Sequence, residues 1–398
     1  MQASLSKIQY LVGNEKILRD TFDAPVLGVF SECILEFLSD LSKSILSDAS
    51  IRDYKDVVGY GYWIRKSSLK RYMDNISRRD NRLGRGLCFH IAPSNIPVQF
   101  AVSMVPALLA GNSSIIRCSS KKFKQTDILC DKINELLDNK YNELKPYICI
   151  IKYDYDDEIT KMLSGVCDVR IIWGGDRTIG LIKKFETKPR TIDICFSDRY
   201  SFAIINSEEL IKTDISSVVE SFWTDTYYVD QNACSSPRLI IWSGNKTEKA
   251  RELFWSKLEK KVKEEYDLAP IQASNKLTSF SRLAMRQDGV RVVSENNYVF
   301  RVEVKDLADN FLDYKDSGGY FFEYIANELE EIEPVIQHKS CQTIGVYGYE
   351  ISEIKEMIFR LGSKGVDRIV SLGNTTAPGL DWDGFALIDT MSRYVEVE

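Results

Sequence analysis

From Leu87 onward the chain alternates short apolar runs with stretches of helical periodicity, and this alternation limits the fold more than any other feature of the sequence. The run IIRC (Ile115–Cys118) reads as a strand, and the following KFKQTDILCDKINELLDN places Ile128, Leu129, Ile133, Leu136 and Leu137 on one helical stripe. Strands YICIIKY, VRIIW (Val169–Trp173) and TIDICF come next, separated by short helices near Glu158–Leu163 and Thr178–Phe185. Repeated strand–helix units of this kind imply an α/β protein with a largely parallel, doubly wound sheet.

A second set of elements begins after FAIINSEE. Its expected strands are RLIIW (Arg238–Trp242), GVRVV, YVFRVEV and QTIGVYG. Its expected helices are KTEKARELFWSKLEKKVKEE and EISEIKEMIFRLG, whose Lys and Glu runs read as solvated faces. With 398 residues, at about 150 per domain, the chain has length for two or three domains. The expected organisation is an N-terminal helical region and dinucleotide-binding domain over 1–199, with an amphipathic stretch near Leu27–Leu46. A catalytic α/β domain follows over 200–368, then a tail over 369–398 that returns to the first domain or makes an oligomer contact.

Composition removes several classes of function. Hydrophobic residues at 44% and charged residues at 28% are too apolar for disorder and too polar for a membrane-embedded chain. Against 58 Asp and Glu stand 52 Lys and Arg, so the basic excess that a nucleic-acid backbone requires is missing. Nine cysteines without any CxxC spacing point to a reducing cytoplasm, and two histidines (His90 and His338) argue against a transition-metal site. The amino terminus has no apolar core of signal-peptide length, and no run of about 18 apolar residues follows, so neither secretion nor a membrane span is expected.

Three segments carry candidate chemistry. In HIAPSNIPVQFAVSMVPALLAGN, a loop between a strand-like run and an apolar helix presents Asn95, whose amide donors suit an oxyanion; the commoner role of such a residue is closing a turn before Pro97. In DQNACSSPR, Cys234 sits among small polar residues ahead of a strand. There a thiolate has room for an acyl group and its own backbone N–H is a second oxyanion donor, although most free cysteines are small buried hydrophobes. In WGGDRTIG, two glycines join a strand to a helix and would let backbone approach a pyrophosphate, with Asp176 as the helix N-cap. Two adjacent glycines are not GxGxxG, and a plain strand–helix turn is the more frequent meaning.

Taken in order, these segments resemble the aldehyde dehydrogenase superfamily, and most closely its LuxC-type acyl-CoA reductases, the fatty-acid reductases of bacterial bioluminescence. HIAPSNIPVQF with LLAGN is similar to that family's amino-terminal motif, DQNACSSPR to its nucleophile motif, and GVDRIVSLG with WDGFALIDTMSRYVEV to its carboxy-terminal signature. The resemblance covers about Gly86 to Glu398, and family members from luminous bacteria are longer at the amino terminus.

The resemblance implies an aldehyde dehydrogenase-like fold and an aldehyde-forming acyl-CoA reductase in which Cys234 is acylated and Asn95 holds the oxyanion. It places Trp173, Gly174, Gly175 and Ile179 at the cofactor, with Arg117 and Ser119 at the adenosine ribose and Glu331 at the nicotinamide ribose, in a run one residue shorter than the usual motif. Ser120 stands where NAD-selective members carry an acid, and Lys121, Lys122 and Lys124 follow, so the expected cofactor is NADPH (NADP). The general-base glutamate of hydrolytic aldehyde dehydrogenases falls near Cys195, with Asp193 or another carboxylate as an alternative base. Expected partners are acyl-CoA or an acylated carrier or synthetase protein, in a homo-oligomer. The competing reading is a scaffold or transferase that accepts an acyl group on Cys234 without reducing it.

Overall fold

A computed structural model describes residues 5–76, 79–294, 296–308 and 310–398. The chain divides into two units: one runs up to Ser197 and resumes over Pro378–Glu398, and the other is Asp198–Ala377.

In the first unit the strands are β1 (Gln9–Val12), β2 (Arg82–Gly84), β3 (Leu87–Ile91), β4 (Ser113–Arg117), β5 (Ile148–Lys152), β6 (Val169–Trp173) and β7 (Ile192–Phe196). Six of them form one sheet in the order β1-β5-β4-β3-β6-β7, parallel throughout except for β1, which runs antiparallel to β5. All five residues of β3 are buried, because helices cover both faces of the sheet. The winding reverses beside β3: β4 and β5 lie on one side, β6 and β7 on the other. In open α/β sheets the crevice for a ligand opens at the carboxyl ends of strands flanking such a reversal.

Helix α1 (Glu32–Ser47) accounts for the amphipathic stretch, burying Ile34, Phe37, Leu38, Leu41 and Ile45 at three- and four-residue spacing. Helix α2 (Gln99–Leu109) is apolar all round and almost wholly buried, as a helix under a sheet must be. Helices α3 (Lys124–Asn139), α4 (Asp157–Val166) and α5 (Asp176–Ile182) complete the alternation. Gly175, not Asp176, is the N-cap of α5; Asp176 is the first helical residue, where its carboxylate still lies in the positive first turn.

The C-terminal segment is built into this unit. Strand β2 pairs antiparallel with Ser392–Tyr394, and Arg82 bridges to Asp389 at 2.8 Å. Asn112, fully buried, ties the seam: its Oδ1 accepts from the backbone N–H of Arg85 (2.6 Å) and Gly86 (3.1 Å), and its Nδ2 donates to the carbonyls of Ala107 (3.2 Å) and Met391 (3.0 Å). Gly111 before it has φ +87°, and a Cβ there would lie 2.1 Å from the Leu27 carbonyl oxygen, so LLAGN needs glycine at this point.

The second unit holds β8 (Tyr200–Asn206), β9 (Pro237–Ser243), β10 (Arg291–Val292), β11 (Phe300–Glu303), β12 (Tyr320–Ile325), β13 (Cys341–Tyr347) and β14 (Arg368–Ser371). They form a sheet in the order β10-β11-β12-β9-β8-β13-β14, parallel apart from β10. Because β14 pairs with β13, residues 369–377 stay with this unit, and the segment that returns to the first unit starts at Pro378 rather than at 369. Likewise FAIIN belongs inside the second sheet as β8, between β9 and β13.

Helices α6 (Ile215–Asp225), α7 (Thr247–Glu265) and α8 (Pro270–Ala284) belong to this unit. Under α7 lies an unusual centre: the fully buried Glu323 carboxylate accepts from the indoles of Trp242 (2.8 Å) and Trp255 (2.7 Å) and from Arg251 (3.0 Å) and Arg301 (3.3 Å). Four donors offset the desolvation that an isolated buried carboxylate could not survive. Among the described residues no helix is long and apolar enough to cross a membrane.

Candidate active site

Cys234 lies in the loop from Asp230 to Ser236 that feeds β9. The loop is shaped by two consecutive non-glycine residues in left-handed conformation, Asp230 (φ 52°) and Gln231 (φ 56°), which cost about 1–2 kcal/mol each. The fully buried Gln231 amide holds them there: Nε2 donates to the carbonyls of Pro237 and Tyr320, both at 3.0 Å, and Oε1 accepts from the N–H groups of Gly319 (3.0 Å) and Tyr320 (3.1 Å). Arg238 closes the loop from beneath, donating to the backbone carbonyls of Gln231 and Asp316, and burial draws its guanidinium down to about 10. The Cys234 carbonyl accepts from Ser201 Oγ at 2.9 Å.

Of the nine cysteines, Cys88, Cys118, Cys130, Cys149, Cys167 and Cys341 are buried, and burial raises all six thiols above the ordinary cysteine range. Cys33, Cys195 and Cys234 are half-buried. The Cys195 thiol, on β7, packs with Ile179 and Ile182 against the apolar layer of the first sheet, and burial raises it too. Beside Cys234 stands a carboxylate that the sequence reading passed over: Asp198 Oδ1 lies 4.0 Å from Sγ, and its Oδ2 takes an ion pair from Lys315 at 3.1 Å. The signal was FSDR, three residues beyond Cys195. Asp193 is committed elsewhere, to Arg170.

In the first unit, Asn95 lies exposed in the bend between β3 and α2. Arg117 ends β4; its guanidinium stacks over Tyr153 (4.7 Å) and Tyr155 (5.7 Å), and one nitrogen donates to the Tyr153 carbonyl at 3.4 Å. Its Nε is buried without a partner among the described residues, the kind of donor that a ligand hydroxyl satisfies. Ser119 Oγ accepts from Lys121 N–H at 3.2 Å, and Ser120 Oγ donates to Asp154 at 3.3 Å, so one acid does adjoin this turn.

Trp173 ends β6, its ring stacked on Phe196 at 3.9 Å and its indole N–H donated to Ser103 at 3.1 Å. Ser103 also bonds the buried His90, at 2.8 Å from Nδ1, and desolvation lowers that imidazole to about 3, so it stays neutral. A Cβ on Gly175 would meet nothing within 4 Å, while one on Gly174 would press Thr178 at 3.2 Å; Ile179 is half-buried on α5. An unsatisfied guanidinium donor at one strand end and open, side-chain-free backbone at another fit a dinucleotide along this edge of the sheet.

Glu331 lies in the second unit and is a local cap. Its Oε1 accepts from the N–H groups of Asn327 and Glu328, both at 3.0 Å, and its Oε2 from the Tyr324 hydroxyl at 2.6 Å. Among the described residues no cluster of three or more His, Cys, Asp or Glu is arranged to hold a metal ion.

The family model of the LuxC acyl-CoA reductases matches residues 64–394. The chain belongs to that family. Curated relatives include the long-chain acyl-protein thioester reductases of Aliivibrio fischeri, 23% identical over 324 residues, and Vibrio harveyi, 24% identical over 325. Each match takes in 79% of this chain and 64% of the relative, so this LuxC chain spans less than two thirds of their length. Solved structures that share the fold are aldehyde dehydrogenases. A gamma-glutamyl-gamma-aminobutyraldehyde dehydrogenase from Burkholderia cenocepacia has a TM-score of 0.66 at 12% identity, covering 96% of this chain and 88% of its own. Glyceraldehyde-3-phosphate dehydrogenase from Methanocaldococcus jannaschii, solved with NADP, has a TM-score of 0.60 at 16% identity, covering 94% and 88%. The expected aldehyde dehydrogenase-like α/β fold is therefore the observed one.

Proposed function

We propose that this LuxC-family chain reduces an acyl thioester to an aldehyde through an acyl-Cys234 intermediate. The observation that carries the reading is Cys234 itself, a half-exposed thiol on a loop braced by Gln231 and Arg238, in a chain whose six buried thiols are all raised by desolvation. Cys234 attacks the thioester carbonyl, the Asn95 amide and the Cys234 backbone N–H hold the oxyanion, and the donor thiol leaves. Arg117, Ser119, Trp173, Gly174, Gly175 and Ile179 would hold a nicotinamide dinucleotide, with Glu331 as the ribose acceptor; when bound, it supplies the hydride that brings the acyl carbon to the aldehyde level. Collapse returns Cys234 as the thiolate.

NADPH is the preferred form in this reading, because Lys121, Lys122, Lys124 and Lys152 outnumber Asp154 around the turn after β4. The relatives named as acyl-protein thioester reductases favour an acylated protein as donor, with acyl-CoA as its small-molecule equivalent.

Radiolabelled acyl-CoA tests the proposal. Label should attach to the wild type and not to Cys234→Ala, persist without nucleotide, and leave as trapped aldehyde when NADPH is added. Label that survives the substitution refutes the nucleophile. Label that NADPH cannot discharge leaves an acyl carrier, not a reductase.

A further inference from the structure

Among the described residues the Asp198 carboxylate stands at hydrogen-bonding distance from the Cys234 thiol, and it is not Asp193, the carboxylate singled out in the sequence. Asp198 lies two residues before the start of β8, and Lys315 lies in the loop before β12; both belong to the same unit as Cys234. Asp198 Oδ1 faces Sγ at 4.0 Å while Oδ2 is pinned by Lys315 Nζ at 3.1 Å, so the carboxylate is oriented with one oxygen committed and the other turned to the sulfur. Arg238, buried beneath the loop, is also close enough to interact with the thiol, and Asp316, which interacts with Arg238, has its Oδ2 accepting from Ser279 at 2.8 Å.

We propose that Asp198 is the proton acceptor of the Cys234 thiol in the acylation step, with Lys315 as the residue that positions it. The role rests on the acyl-cysteine reading above. As Sγ bonds to the acyl carbon, the S–H proton passes to Asp198 Oδ1; as the bond from the acyl carbon to the donor sulfur breaks, the same proton passes to the departing thiolate. One thioester and one thiol enter, and one thioester and one thiol leave. No oxidant or reductant takes part.

A carboxylate is a weak base toward a thiol, so transfer must accompany carbon–sulfur bond formation rather than precede it, which is general-base catalysis in its ordinary sense. The pin to Lys315 adds a second consequence. With Oδ2 held by the ammonium, the carboxylate keeps Oδ1 turned to the sulfur rather than swinging toward a water at the acyl carbon. The acyl-enzyme is thereby spared hydrolysis.

Two rates in one set of variants test the role. The first is single-turnover transfer of labelled acyl-CoA to the protein at pH 7; the second is alkylation of the Cys234 peptide by iodoacetamide at the same pH, read by mass spectrometry. In Asp198→Asn, acyl transfer should slow by about a hundredfold. Alkylation, which draws on thiolate already formed, should hold or rise about two- to fivefold, because a negative charge beside the sulfur has been removed. Asp198→Glu should regain part of the acylation rate, and Lys315→Met should raise the yield of free acid from the acyl-enzyme.

Opposite movement of the two rates is a signature that a merely structural contact cannot produce. Equal acylation by wild type and Asp198→Asn overturns the role, and so does a parallel fall in both rates. A wild type that accepts no label from any acyl thioester, yet alkylates normally at Cys234, refutes the acyl-cysteine reading itself.

Discussion

Arg170 on β6 grips Asp193 on β7 with two parallel hydrogen bonds, Nε to Oδ1 and Nη2 to Oδ2, both 2.8 Å long, while its side chain is only 2% exposed. The remaining guanidinium nitrogen donates to the carbonyls of Ile182 and Phe185, at 3.1 and 3.2 Å. A carboxylate so held is a structural counter-ion, and its removal would leave a buried cation with only carbonyls for company. Asp193→Ala should therefore cost about 3 kcal/mol of unfolding free energy while leaving Cys234 alkylation in the folded fraction unchanged. A stable Asp193→Ala that loses acylation would instead return this residue to the chemistry.

Asn95→Ala should keep the thiol fully alkylatable and lose about a hundred- to a thousandfold in turnover, the scale for one oxyanion donor. The comparison of iodoacetamide labelling with thioester reduction decides it. Unchanged turnover would make Asn95 the turn residue that its place before Pro97 also suits.

If the turn after β4 holds the adenosine ribose as proposed, cofactor choice turns on the charges around it. Asp154 lies within hydrogen-bonding reach of Ser120 and would oppose a phosphate there. Asp154→Asn should move the kcat/KM ratio of NADPH over NADH upward by about two- to fivefold, the worth of one screened charge. Ser120→Glu should move it the other way. If neither substitution alters the ratio, the ribose lies elsewhere.

Asp225 supplies a pH-dependent term in stability. It is fully buried at the end of α6, accepts from the N–H groups of Gly373 (2.6 Å) and Thr375 (2.9 Å), and is pushed up to about 6 by desolvation. Between the unfolded value of 3.8 and about 6 the folded state holds a proton that the unfolded chain has released. This contribution is thus complete below pH 4 and is lost as pH rises through 6, amounting to about 2–3 kcal/mol at most. Urea unfolding of wild type and Asp225→Asn from pH 3.5 to 7 should give a difference that declines over that interval and is flat above it.

What the sequence displayed best was the alternation. Ile115, Val169 and Ile192 sit in strands at or next to the expected positions because buried parallel strands are unbroken apolar runs. Strand β12, YFFEYI, went unread. Its aromatic run has no period-two pattern, and Glu323 in its midst looks unfit for a core until Trp242, Trp255, Arg251 and Arg301, remote in sequence, bring their donors to it. At the site, Cys234 and Asn95 stood out because their local surroundings are odd for buried residues. Asp198 did not, since its meaning lies in a contact with a residue 36 positions away. Gln231 and Arg238 were in plain view in DQNACSSPR, but their work is to brace a backbone whose left-handed turn is invisible in the letters.

The return of residues 378–398 to the first unit makes that unit discontinuous, with the whole of Asp198–Ala377 inserted in it. Strand β2 and its partner stretch Ser392–Tyr394 are remote in sequence: Arg82 and Ser392, whose side chains bond, stand 310 positions apart. Closing so long a loop through an unfolded chain is costly in entropy and slow. The contiguous second unit has no such loop to close, and once it has formed the stretch that remains to be closed is shorter. A single cut in the backbone between Ala377 and Pro378 would leave every strand of the six-stranded sheet in one piece while turning this seam, the Asn112–Met391 bond included, from an intramolecular contact into a bimolecular one.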